Sequence, residues 1–338
     1  MADYININGN NIPIRASDPS NPIAGEIWYN STTNLLKGQG YQAAAWSTQS
    51  VYPQAVRDAF GFGASSTTAL VAGGANPGIG GRKSDAFSYD GSSWTTLNSI
   101  PTPLNGLDAD GPISAGITAG GNTPGSPVAT NTSSFDFNGT NWTSNPTLPI
   151  SRSGHATVGG AAAQTAAIAV SGESSPTSAT TTSEWDGSTW TAGAAIPDWA
   201  QGTSGGGTTS DAFVQARVGA GNAESTKDWN GSTWTAGNDT NLAHNYGGAG
   251  GSATSGLTFG GTQTPNPGVR TAQAERYDGT SWTTDASMSE ARSNAHGKAT
   301  VSGGNALCST GNPGPPGYTN ATESYQGAGP ATVTISSS

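Results

Sequence analysis

Three histidines, one cysteine and 22 carboxylates are the side chains with which this chain of 338 residues could do chemistry. His155, His244 and His296 lie far apart, without the HxH or HExxH spacing and carboxylate cluster of a metal site or an acid–base pair. Cys308 stands alone, so neither an internal disulfide nor a cysteine metal cluster can form. His155 and His296 fall where a first strand of a repeated unit approaches a central channel. They read either as a ligand or general base, or as polar groups satisfied by neighbours and water, and the missing partners favour the second. Asp90, Asp186 and Asp278 each follow an aromatic and precede a glycine. That regularity marks them as turn formers rather than acids or calcium ligands. "GKAT" (297–300) lacks the preceding glycines of a phosphate loop. No catalytic residue, cofactor or metal is expected.

The aspartates belong to a stretch that returns: "SYDGSSWTT" (88–96), "DFNGTNWTS" (136–144), "EWDGSTWTA" (184–192), "DWNGSTWTA" (228–236) and "RYDGTSWTT" (276–284), with degenerate copies at 40–48 and 324–332. The leading aromatics, Tyr41, Tyr89, Phe137, Trp185, Trp229, Tyr277 and Tyr325, are spaced 48, 48, 48, 44, 48 and 48. Five residues after the first six stand Trp46, Trp94, Trp142, Trp190, Trp234 and Trp282, which should pack between neighbouring sheets; after Tyr325 the place is taken by Pro330. A second landmark keeps time: small apolar runs ending in glycine at 70–74, 117–121, 168–172, 217–221, 257–261 and 300–304.

Repeats of 40 to 50 residues indicate a propeller or solenoid. With 50 glycines, 10% charged residues and no amphipathic helical pattern, each unit reads as four short strands. In 143–190 these are "SGHATVG", "AAIAVSG", "TTSEW" and "STWTA", with Asp186-Gly187 as the hairpin turn. The expectation is an all-β, six-bladed β-propeller of four-stranded blades over residues 41–338. The units run at about 47–94, 95–142, 143–190, 191–234, 235–282 and 283–330, with 41–48 and 331–337 competing as closure strands. Residues 1–40 lie outside the period. They read as an arm with a strand at 4–10 and a hairpin of "EIWYN" and "NLLKG" around "STT".

The net charge of −10, with twelve scattered Lys and Arg, argues against nucleic acid. No basic amphipathic stretch or apolar run of membrane-spanning length is present, so membrane insertion is not expected. The first residues have neither the basic nor the apolar region of a secretory signal.

"LPISRSGHATVGG" (148–160), Gly172, "EWDGSTW" (184–190) and "IP" (196–197) resemble a kelch repeat, although Arg and His occur together only at Arg152/His155 and Arg292/His296. "DPSNP" (18–22) and "GEIWYNSTTNLLK" (25–37), leading into 40–48, resemble a segment of bacteriophage tail-fibre and other virion proteins. That resemblance implies a non-enzymatic structural protein of a phage particle, in the tail, fibre or outer decoration, made in the host cytoplasm and present in several copies. Residues 1–40 would dock onto other virion proteins, with Trp28 and Tyr29 as anchors, and the propeller would meet a host-surface glycan or protein. Two alternatives remain, a polysaccharide-active propeller enzyme and an architectural capsid or tail cement. Sialidases repeat Asp and Gly one residue apart rather than adjacent, and this chain's eight arginines fall mostly outside equivalent blade positions.

Overall fold

The structure, a computed structural model, describes residues 12–65, 67–79, 81–123, 129–174, 177–178, 180–198, 200–218, 222–263, 268–299, 303–315 and 317–335. The chain forms two compact units, Met1–Ala45 with Gly327–Ser338, and Trp46–Gln326. Among the described residues no helix is long and apolar enough to cross a membrane.

The small unit is one sheet ordered Ile14–Arg15, Ile27–Asn30, Leu35–Gln42, Gly329–Thr334. Ile27–Asn30 and Leu35–Gln42 form the hairpin expected from the sequence, turning through Asn34 at φ 56°. One carboxylate ties the segment 18–22 to this hairpin. Asp18 accepts hydrogen bonds from Trp28 Nε1 (3.0 Å), Asn30 Nδ2 (2.7 Å) and Lys37 Nζ (2.7 Å). The side-chain Oδ1 of Asn30 in turn accepts the N–H groups of Thr32 and Thr33. The expected strand at 4–10 lies outside the described residues.

The C-terminal segment, weighed at 331–337 as a closure strand of the propeller, instead completes this small sheet. It pairs antiparallel from Lys37↔Thr334 to Gln42↔Gly329. The reason is steric: Gly38 and Gly40 make a bed for its branched side chains. A Cβ on Gly38 would stand 3.2 Å from Ile335 Cδ1, and one on Gly40 would stand 3.5 Å from Val333 Cγ2. The division between units accordingly falls at 45/46 and 326/327.

The larger unit repeats one antiparallel pattern. The third sheet is typical: Ala156–Val158, Ala167–Val170, Thr182–Trp185 and Trp190–Ala192 in order. Corresponding sets span 57–97, 108–145, 200–236 and 248–285. The last set, His296–Ala299, Asn305–Ser309 and Thr322–Gln326, takes its fourth strand from the front of the chain, Ala45–Gln49. The fifth and sixth sets also join through a short parallel pair, Ala249↔Lys298 and Gly250↔Ala299. In the 44-residue fourth repeat only three residues of sequence separate Ala212–Val218 from Asn222–Trp229, fewer than between the matching strands of the other repeats.

The third and fourth strands are joined by the Asp/Asn-Gly turns. Asp186 Oδ1 accepts the N–H groups of Ser188 (2.8 Å) and Thr189 (2.7 Å), with Gly187 at φ 92°. Asp90, Asn138, Asn230 and Asp278 do the same. The glycine landmark is a pair of positive-φ residues: Gly73 (65°) and Gly74 (92°) within the long second strand Thr68–Asn76, and, just after the second strand, Gly120 (74°) and Gly121 (90°), Gly260 (66°) and Gly261 (97°). In the sixth repeat this position is Thr310 (64°) and Gly311 (113°), not the "TVSGG" run at 300–304, which precedes the second strand. The second residue of the pair donates its N–H to the next sheet: Gly74 to Leu104 O, Gly121 to Arg152 O, Gly261 to Arg292 O and Gly311 to Val56 O.

Candidate functional site: a pit ringed by backbone hydrogen bonds

Just before each first strand, or at its start, one residue adopts positive φ: Asp58 (55°), Gly106 (66°), Gly154 (57°), Gly202 (66°), Tyr246 (57°) and Asn294 (52°), spaced 48, 48, 48, 44 and 48. The turned backbone points its amide at the neighbouring repeat. Asp58 N–H donates to Asn294 O (2.8 Å), Gly106 to Asp58 (3.0 Å), Gly154 to Gly106 (2.8 Å), Thr203 to Gly154 (3.0 Å), Tyr246 to Gly202 (3.0 Å) and Asn294 to Tyr246 (2.8 Å). The six bonds close on themselves into a belt. Half its positions are glycine, as positive φ favours. The other half carry side chains, and those make one side of the belt chemically different.

Inside the belt is a cavity of about 380 Å³. Its lining includes Arg57, Asp58, Asn105, Asn122, Glu173, Tyr246 and Asn294, and deeper Asp108, His155, His296 and Lys298. Lys298 of the sixth sheet and Asp108 of the second pair at 2.9 Å. Lys298 also donates to Thr157 O, and Asp108 accepts the N–H of Thr157 (2.7 Å). Burial pushes the Asp108 carboxyl up from its usual range, and Lys298 opposes this. Asp108 and Asp110 outweigh burial at Lys298, whose value is raised, so the ammonium stays protonated. A second cavity, of about 330 Å³, is lined by Gly63, Asp110, Gly111, Ile113, Gly160 and Ala299 and shares no lining residue with the first.

Nearer the belt, burial raises Asp58, and Arg57 (3.5 Å) and the Asn294 amide (2.6 Å) offset it. Burial takes His155 well below its ordinary value, helped by the charges of Arg152 and Lys298, and takes His296 down to about 3. Both imidazoles are therefore neutral near pH 7. Both rings are wedged between sheets where a neighbouring glycine makes room. A Cβ on Gly120 would lie 2.8 Å from His155 Cε1, and one on Gly61 would lie 2.9 Å from His296 Nε2. The ring nitrogens of His155 and the hydroxyls of Thr203 and Ser204 are buried without a protein partner. His244 is elsewhere, fully buried between Gly260 O and Glu275.

Trp28 is fully buried and spends its N–H on Asp18, so it is structure within the small unit rather than an exposed anchor. Tyr29 is half-buried with its hydroxyl on Asn34. Among the described residues of that unit the exposed large apolar side chains are Ile14, Ile23, Leu35, Tyr41, Val333 and Ile335. Each repeat tryptophan meets its own leading aromatic: Tyr89–Trp94 at 4.9 Å, Phe137–Trp142 at 4.7 Å, Trp185–Trp190 at 5.4 Å, Trp229–Trp234 at 5.0 Å and Tyr277–Trp282 at 4.8 Å. Trp142 also meets Phe60 and Phe62 of the first sheet, and Trp282 meets Phe213 of the fourth. Trp46 fills the place missing at Pro330. It packs on Tyr325 (5.3 Å) and Phe259 (4.9 Å) and donates to Ala286 O, as Trp94 does to Ser50 O and Trp142 to Asn98 O. Three belt positions are not glycine, which hides the belt in the sequence; the lags of 48, 48, 48, 44 and 48 residues, the same as those of the leading aromatics from Tyr41 on to Tyr277, place all six.

The all-β architecture with curled sheets is of the β-propeller-like kind. Among solved structures, the one titled "Structure of YjhT" matches with a TM-score of 0.65 at 12% identity, over 81% of this chain and 95% of that one. At that identity the likeness speaks for the fold alone. No family model matches the chain, and no curated protein does.

Proposed function

We propose that the larger unit is a six-bladed, kelch-like β-propeller whose pit is a binding site, and that the small unit fixes it to a bacteriophage particle as a non-enzymatic tail, fibre or outer decoration component. The observation that carries the binding role is the pit itself, ringed by a closed backbone belt and lined with polar side chains from several sheets. The six-bladed reading is supported by the same cycle of six bonds, because each repeat contributes one donor and one acceptor. The virion reading is supported by the resemblance of residues 17–48, and the pit would face a host-surface glycan or protein. Docking to other virion proteins would use the small unit's exposed apolar residues, such as Ile14, Ile23 and Tyr41, rather than Trp28.

One observation favours the enzymatic alternative: Asp58, Asp108 and Glu173 line the same cavity, and a raised Asp58 suits a general acid. Against it, Asp108 is held by Lys298 and Asp58 by Asn294 and Arg57. The test is adsorption of labelled full-length chain to host cells, with competition against particles and an assay for new reducing ends. Saturable, competing adsorption without cleavage is expected. Cleavage selects the enzyme, and absence of adsorption selects the cement role.

A further inference from the structure

The pit's asymmetry defines a ligand. Of the six belt positions, Gly106, Gly154 and Gly202 bear no side chain, while Asp58, Tyr246 and Asn294 do. The Tyr246 ring lies over that bare side. A Cβ on Gly202 would come 2.9 Å from Tyr246 Cδ2, and one on Gly154 would come 3.5 Å from Tyr246 Cε1. An aromatic face thus covers two glycines of the belt, while Asp58, Asn294 and Arg57 supply a carboxylate, an amide and a guanidinium from the adjoining repeats. All of them line the cavity.

We propose that this is a subsite for the terminal residue of a neutral sugar chain, bound end-on; the proposal rests on the binding role given above. Three features select that chemistry. The volume, about 380 Å³, is at the low end for small-molecule pockets and suits one or two sugar rings rather than a long polymer. The Lys298–Asp108 bridge belongs to the lining of this cavity, while the adjoining Asp110 and Ala299 line the second one, so the bridge stands where the first cavity ends and a ligand would enter from the belt by its end. Both cations in the lining are matched, Lys298 by Asp108 and Arg57 by Asp58, and Glu173 adds a further acid. An anionic sugar would therefore meet more negative than positive charge. Hydroxyls, which donate and accept, suit a mixed lining of amides, carboxylates and a guanidinium, and the part of the Tyr246 ring that lines the cavity, away from the two glycines, gives the sugar's apolar side a surface.

The test uses the full chain and soluble methyl glycosides of glucose, galactose, mannose and N-acetylglucosamine, with methyl sialoside as the acidic probe. Binding is read by calorimetry and by inhibition of adsorption to host cells. At least one neutral glycoside should bind and inhibit, and methyl sialoside should bind at least tenfold more weakly. Tyr246→Asn keeps a residue tolerant of positive φ and should weaken the neutral glycoside tenfold or more, as should Asp58→Asn. Near-UV circular dichroism like that of the parent shows that each variant is folded. Preference for the sialoside, or unchanged glycoside binding by both folded variants, overturns the subsite. Adsorption that persists with no glycoside bound overturns the subsite while leaving the binding role standing, whereas loss of all adsorption by the parent removes the role itself.

Discussion

Single residues show where the repeat is under strain. Ser171 (φ 59°) and Thr310 (φ 64°) occupy positions that Gly73, Gly120 and Gly260 fill elsewhere. A left-handed conformation costs a residue with a Cβ about 1–2 kcal/mol, and a β-branched threonine most of all. Thr310→Gly is expected to stabilise the chain by about 1 kcal/mol, less the loss of a long contact from His296 N–H, and to raise the thermal midpoint by about 2–4 °C. Calorimetry checks this, and a fall in the midpoint would contradict it. In the small unit, three donors hold Asp18 down from 3.8 to about 2, Lys37 first, then Asn30 and Trp28. A carboxyl lowered on folding contributes stability above its unfolded value and loses it as the pH falls through the folded one. Hydrogen exchange at Ile27–Gln42 should therefore be pH-independent in excess protection above about pH 4. That protection should collapse towards pH 2, and Asp18→Asn should flatten this dependence.

Elements vary in what they bury at one shared position. Val56 and Phe87, Leu104 and Phe135, Arg152 and Ser183, His244 and Glu275, Arg292 and Glu323 are each 31 residues apart and occupy the same place in the first, second, third, fifth and sixth sets. The first two pairs are apolar, Val56 and Phe87 together in one cluster and Leu104 and Phe135 together in another. Arg152 donates to Ser183 Oγ and to the carbonyls of Ala169, Ser171 and Thr181, and burial lowers it to about 10. Arg292 and Glu323 form a buried ion pair at 2.7 Å. Removing one partner of such a pair costs about 3–5 kcal/mol, whereas replacing both by apolar groups is often close to neutral. Glu323→Ala should therefore destabilise by about that amount. Arg292→Leu with Glu323→Phe, which copies the second sheet, should recover most of it. A double-mutant cycle by denaturant unfolding measures both, and a double variant no better than the single one would show the slots are not interchangeable.

At the scale of the whole molecule, the outer parts of each repeat were legible and the inner parts were not. The tryptophans and the Asp-Gly turns sit on outer strands, where every copy meets the same demand and keeps the same residues. The inner positions answer to different neighbours, so the belt reads Asp, Gly, Gly, Gly, Tyr, Asn and hides its regularity. The sixth glycine pair was displaced because Thr310 stands where glycine does elsewhere. Trp28 looked like an anchor because nothing in the sequence showed that Asp18 takes its N–H. Of the two candidate end strands, Ala45–Gln49 is the one that lies beside Thr322–Gln326 in the last sheet. Trp46 is the principal side chain of that strand, and the Gln49 amide and Ser47 hydroxyl reach Ser324 while Tyr89 of the first sheet donates to Gln49 Oε1. Since Trp46 is half-buried, Trp46→Ala should cost about 2–4 kcal/mol, at or below the usual range for truncating a core tryptophan. The loss should be local before it is global. Hydrogen exchange at Thr322–Gln326 should accelerate well before that at Ala156–Val170 on the far repeat, because freeing the fourth strand exposes the edge of the sixth sheet. Equal acceleration everywhere would mean the larger unit unfolds as one cooperative body. No acceleration at Thr322–Gln326 would mean the tryptophan does not hold the seam.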